Sequence, residues 1–107
     1  MITEIHTPEE FKKEITDYKG ISLIDFWAVW CGPCRMMAPV LEAADQALGE
    51  SIHFTKIDVD EMQDTAADLD IMSIPTFVIF KDGEEISRLI GAMSAEEFIS
   101  QLENILG

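Results

Sequence analysis

Ile21-Ser22-Leu23-Ile24-Asp25-Phe26-Trp27-Ala28-Val29-Trp30-Cys31-Gly32-Pro33-Cys34 is the stretch that decides the fold. Its first eight residues are apolar at both parities, through Ile21, Leu23, Ile24, Phe26 and Trp27. A run of this kind is buried on both faces, as in the centre of a sheet covered by helices. Residues 21–28 therefore predict a central strand. Asp25 sits inside it, where a carboxylate cannot be well solvated. Residues 34–48 follow with Met37, Val40, Leu41, Ala44 and Leu48 at helical spacing and predict a helix. Pro39 removes one backbone donor there and is expected to kink it, and Gly49 closes it. Met36 and Met37 are both read as core filling.

Outward from this stretch the pattern alternates. Residues 2–6 form a short candidate strand. Thr7-Pro8-Glu9-Glu10 starts a helix, with Thr7 as cap, Pro8 in the first turn and Glu10 completing a capping box. Phe11, Ile15 and Tyr18 share one face of that helix, and Gly20 ends it. Residues 52–59 are again apolar on both parities, with Lys56 among them. Residues 61–69 give a weaker helix. Residues 76–81 and 84–90 form two strands joined by Asp82-Gly83, a hairpin turn whose positions tolerate positive φ. Ser94-Ala95-Glu96-Glu97 is a second capping box, opening a last helix with Phe98, Leu102, Ile105 and Leu106 as its apolar stripe. The order β-α-β-α-β-α-β-β-α predicts an α/β fold: a three-layer α/β/α sandwich around a mixed sheet that ends in an antiparallel hairpin.

The chain has 107 residues, of which 48% are hydrophobic. That suits one domain spanning residues 1–107, able to bury a core without a metal or disulfide staple. No apolar run approaches the roughly 20 residues of a membrane helix. The N-terminal residues lack a basic segment followed by an apolar one, so no signal peptide is expected and a cytoplasmic location is inferred. Twenty-one Asp and Glu against seven Lys and Arg give a net charge of −14. Such a surface repels phosphate backbones and anionic membranes, so neither nucleic acid nor membrane is an expected partner. Solubility is the simple account of the acidity; steering toward a basic partner, or adaptation to high salt, is the sharper one.

Cys31 and Cys34 close too small a loop to staple a fold. A structural zinc site needs further ligands, and neither His6 nor His53 has the spacing to supply them, so no metal is expected. At i,i+3 across a helix start, two Cα atoms lie about 5–5.5 Å apart, within disulfide range. The pair can therefore open and close with little backbone motion. Cys31 faces unpaired N–H groups and the positive end of the helix dipole, which favour its thiolate. It is the candidate nucleophile, and Cys34, pointing inward, the resolving thiol. Gly32 lets another backbone approach closely. Pro33 withholds a donor from the Cys31 thiolate, and a less stabilised thiolate favours a reductant over an oxidant. Asp25 is the candidate general base or acid for Cys34, since burial raises its pKa toward neutrality. Its alternative is a hydrogen-bonded strand residue. Lys56 is a candidate electrostatic partner of Asp25, or else a lysine whose stem is buried and whose ammonium reaches water.

The residues so far assembled resemble the thioredoxin family over nearly the whole chain. The resemblance is carried by Asp25-Phe26-Trp27-Ala28, Trp30-Cys31-Gly32-Pro33-Cys34 with Arg35, Ala38-Pro39, Lys56-Ile57-Asp58-Val59-Asp60, Ile74-Pro75-Thr76, Asp82-Gly83 and Gly91. It implies a thiol–disulfide oxidoreductase that reduces protein disulfides. Cys31 would attack a target disulfide, Cys34 would resolve the mixed disulfide, and thioredoxin reductase would restore the dithiol, in many organisms with NADPH electrons. No cofactor is implied beyond the redox-active Cys31–Cys34 pair. The Ile74-Pro75 bond resembles the family's cis-proline. The Ile74 backbone would pair with an extended client, and Trp30, Gly32, Pro33, Pro75, Gly91 and Ala92 would form the flat apolar docking rim. Val29 and Arg35 depart modestly from the family pattern, Arg35 keeping a positive charge. A monomer is expected. The competing readings are a disulfide oxidase or isomerase, and a binding or assembly module whose cysteines are incidental.

Overall fold

The computed structural model describes residues 1–107. The elements run β1 (Thr3–Glu4), α1 (Pro8–Phe11), a π-helical turn (Lys12–Thr16), β2 (Ile21–Trp27), α2 (Gly32–Leu48), β3 (Ile52–Asp58), α3 (Gln63–Asp68), β4 (Thr76–Lys81), β5 (Glu84–Ile90) and α4 (Ala95–Leu106). The five strands form one sheet in the order β1-β3-β2-β4-β5. β1, β3 and β2 are parallel, while β4 runs antiparallel to both β2 and β5. This is the mixed sheet expected from the pattern.

β2 lies at the centre because it is the run with apolar residues on both parities. Leu23 packs on one face with Met37, Leu41 and Ala44 of α2, Phe54 and Ile52 of β3, Phe77 and Ile79 of β4, and Phe98 and Leu102 of α4. Ile24 and Phe26 pack on the other with Ile5, Ile15, Ile57, Met62, Ala66, Val78 and Phe80. Each face is therefore closed by a separate pair of helical segments, as a sheet without a solvated face requires. Asp25 has the parity of Leu23 and lies on the α2 face. Its register partners are Lys56 on β3 and Phe77 on β4.

Local signals held in detail at several ends. Thr7 accepts the Glu10 N–H at 3.1 Å, and Ser94 accepts the Glu97 N–H at 3.1 Å. Neither capping box closes reciprocally: Glu10 takes the His6 N–H, and Glu97 takes the Gln101 side-chain amide. At the hairpin Asp82 and Gly83 both have positive φ, 51° and 84°. Several expectations change, beginning with the first helix, which turns π-helical at Lys12, and the helix expected over 61–69, which spans Gln63–Asp68. β1 has two residues rather than five, because it pairs only with β3, at the edge of the sheet. α2 begins at Gly32 rather than Cys34, since Cys31 itself takes the cap position. It runs through Pro39 as one helix. Met37 is buried, but Met36 is 70% exposed and does not fill the core, because its position on α2 faces away from the sheet.

Candidate active site

Where β2 gives way to α2, the chain places Cys31 as the helix cap, with extended backbone at φ −90° and ψ 109°. A cap residue offers its side chain to the first free N–H groups of the helix. Here the acceptor is sulfur: the Cys34 N–H donates to Cys31 Sγ at 3.2 Å. The same N–H and the dipole behind it stabilise negative charge on that sulfur. Cys31 and Cys34 are joined as a disulfide, with Cα atoms 5.2 Å apart. Both are buried, and they pack with Ala28 against Trp27, Val59 and Ile74.

One segment distant in sequence meets Cys31, and a second is tied to that segment. The Cys31 Sγ lies 4.0 Å from the Ile74 carbonyl oxygen. The Ile74-Pro75 peptide is cis and Pro75 is buried. The Pro75 carbonyl accepts the Gly91 N–H at 2.9 Å, which ties the loop after β5 to the loop before β4. Gly91 has φ 94°, a conformation that favours glycine, and a Cβ there would meet nothing within 4 Å. The Ile74 backbone, two residues before β4, makes no backbone hydrogen bond in the fold. Pro33 and Ala92 are exposed and Gly32 is half-buried.

Trp30 is 65% exposed, and its indole N–H donates to Asp60 Oδ2 at 2.7 Å. Its ring forms one wall of an apolar groove of about 320 Å³, with Val59, Ala66, Ile71, Met72, Ser73 and Ile74 as the rest. A second groove, of about 390 Å³, lies between α2 and the loop after β5, lined by Met36, Met37, Val40, Ala92, Met93 and Ser94. Arg35 turns back to donate to the Val29 carbonyl at 3.0 Å.

Asp25 is 1% exposed and its Oδ1 has no hydrogen-bond partner. Burial pushes its pKa up to about 7, against a smaller downward pull from the Lys56 ammonium. An unpaired buried carboxyl stays protonated far more readily than one in water. Lys56 makes no ion pair with Asp25. Its ammonium sits over the Trp27 ring, 4.6 Å from the centroid, while its stem is half-buried.

The structure thus gathers Cys31, Cys34, Trp30, Ile74, Pro75 and Gly91 at one end of the sheet, with Asp25 and Lys56 on the neighbouring strands. Sequence reasoning missed Asp60 as the partner of Trp30, and missed Val59, Ile71 and Met72 as groove wall. The Asp60 hydrogen bond spans 30 residues, and no local pattern announces it. The apolar residues of 71–74 were a weak signal, since they follow no helical or strand period.

The thioredoxin family model matches residues 2–104. The chain is similar to the thioredoxin of Bacillus subtilis, at 46% identity over 98 residues that cover 92% of this chain and 91% of the other. It is similar to the thioredoxin of Listeria monocytogenes, at 47% identity over 97 residues covering 91% of each chain. Among solved structures it is similar to the thioredoxin of Malassezia sympodialis, with a TM-score of 0.83 and 37% identity, covering 97% of this chain and 88% of that one.

Proposed function

Since this chain belongs to the thioredoxin family and is a thiol–disulfide oxidoreductase, we propose that it works as a protein-disulfide reductant with Cys31 as nucleophile and Cys34 as resolving thiol. One observation carries the assignment: Cys31 Sγ sits at the tip of α2, accepting a helix N–H, and faces the unpaired Ile74 backbone. In the reduced protein the Cys31 thiolate attacks a client disulfide. One sulfur–sulfur bond breaks, a Cys31–client bond forms, and the departing client sulfur takes a proton. Cys34 then loses its proton and attacks Cys31 Sγ. The Cys31–Cys34 disulfide forms and the second client sulfur leaves as a thiol. Two electrons have passed to the client.

Asp25 accepts the Cys34 proton, a role supported by a pKa near 7 and by a carboxyl oxygen with no other partner. Lys56 favours the carboxylate electrostatically. An extended client segment pairs with the Ile74 backbone and lies on Trp30, Gly32, Pro33, Pro75, Gly91 and Ala92. Thioredoxin reductase returns the dithiol, so the protein needs no cofactor besides its own sulfur pair. It works as a monomer in the cytoplasm. No helix is long and apolar enough to cross a membrane.

The test is insulin reduction with dithiol regeneration. Cys31→Ser abolishes turnover. Cys34→Ser permits one attack and accumulates a mixed disulfide visible on a non-reducing gel. Activity in Cys31→Ser equal to that of the unmodified protein removes the reductant reading.

A further inference from the structure

We propose that the groove beside Cys31 selects clients whose disulfide cysteine is flanked by Lys or Arg, an inference that rests on the reductant reading above. The groove itself is apolar, walled by Trp30, Val59, Ile71, Met72 and Ile74. Its outer rim is a different material. Between residues 58 and 70 the chain carries Asp58, Asp60, Glu61, Asp64, Asp68 and Asp70 and not one Lys or Arg. Val59 and Ala66 of this segment line the groove, while Asp60, Glu61, Asp64, Asp68 and Asp70 are exposed. Apolar side chains of this segment thus line the groove, while Asp60, Glu61 and Asp64 of the same segment line a second pocket beside it with His6 and Pro8.

Two of these carboxylates have a cationic neighbour, Glu61 in His6 and Asp70 in Arg88, whereas Asp64 and Asp68 make no ion pair. Arg88 donates to Glu85 and to the Leu69 carbonyl. Lys56 lies over Trp27. Arg35 is folded back on Val29. Asp60 is held against the groove by the Trp30 indole, so one rim carboxylate is fixed within the docking surface rather than swinging freely in water. A client whose apolar residue enters the groove must therefore carry its neighbours past Asp60 and past the unpaired Asp64 and Asp68, which share α3 with the groove residue Ala66. Cationic neighbours gain there and anionic ones lose, in encounter rate and in docked affinity.

The selectivity is local, which separates it from the acidity of the whole molecule. Glu50 and Glu84 are exposed at the opposite pole, past the end of α2 and at the start of β5. α2 alone sets about 25 Å between that pole and Cys31. Charge there is screened at physiological salt, where the screening length is about 8 Å.

The experiment compares kcat/KM for three model peptide disulfides of equal length, with the cysteine flanked by Arg, by Glu or by Ala. The unmodified protein is expected to prefer Arg over Glu flanks by about tenfold or more at low salt, falling to within about twofold at about 0.5 M salt. Asp64→Lys/Asp68→Lys lowers the Arg-to-Glu ratio at least about fivefold, and Glu50→Lys/Glu84→Lys, with the same change of net charge, leaves it within about twofold. A ratio near one in the unmodified protein overturns the proposal. So does an equal fall in both double variants, which would assign the preference to net charge. Failure of the unmodified protein to reduce the Ala-flanked peptide would instead strike the reductant reading, a result readable on its own.

Discussion

At the scale of one residue, Asp25 carries the largest energetic consequence. Its folded-state pKa of about 7 stands above the ordinary carboxylate value of 3.8. The folded protein therefore holds a proton that the unfolded chain releases, and stability falls as pH rises from about 4 to about 7. Above that window the buried charge costs about 4 kcal/mol relative to the same group in water. Asp25→Ala removes this cost and leaves a small cavity instead. Its stability relative to the unmodified protein is expected to rise across that window and to end higher at neutral and alkaline pH, by about 2 kcal/mol. Urea denaturation at a series of pH values measures this, and a difference that does not vary with pH refutes it. On the proposed role of Asp25, the same variant is expected to slow the Cys34 step and to remove any inflection near neutrality from its pH profile. The sequence showed why Asp25 is unusual, because a carboxylate in an apolar strand has no water to hold its charge. It could not show that Lys56, opposite in register, would settle over Trp27 instead of against the carboxylate.

At the scale of elements, the ends were written in local chemistry, and the joints between them were not. Thr7 and Ser94 act through groups three residues away, and the Asp82-Gly83 turn through its own backbone dihedrals, so these roles could be read directly. The π-helical turn over Lys12–Thr16 has no such signature. Gly83 shows both kinds of determinant. Its φ of 84° was legible as a turn requirement, but its contact was not: a Cβ there would lie 2.3 Å from the Thr16 carbonyl oxygen, at the end of the π-helical turn. Gly83→Ala therefore combines backbone strain with a clash against a main-chain atom, and is expected to destabilise by at least about 2 kcal/mol. Gly32→Ala meets nothing within 4 Å and is expected to change stability by no more than about 0.5 kcal/mol. Thermal or urea unfolding of both variants checks the contrast, and equal losses would show that the hairpin tip relaxes away from the helix.

At the scale of the whole molecule, charge is the dominant property: 21 acidic residues against seven basic ones. Self-repulsion opposes the compact state and is screened by salt. Melting temperature is expected to rise between about 0.01 M and about 1 M sodium chloride, as the screening length falls from about 30 Å to about 3 Å. A melting temperature that falls over this range would show that local ion pairs, such as Lys12 with Asp17, outweigh the global repulsion. The sequence by itself determined the layer order, the central place of β2, the identity of the redox pair and the anomaly of Asp25. Each of these follows from periodicity, from spacing, or from a charged group set in an apolar run. Only the tertiary structure decided that Ile74 meets Cys31 and Gly91 ties to Pro75, that Asp60 holds Trp30, and that Met36 stands in solvent while Met37 is buried. Those outcomes depend on segments distant in sequence closing over one another, and the free energy of that closure is shared by both faces of the sheet rather than encoded at any one position.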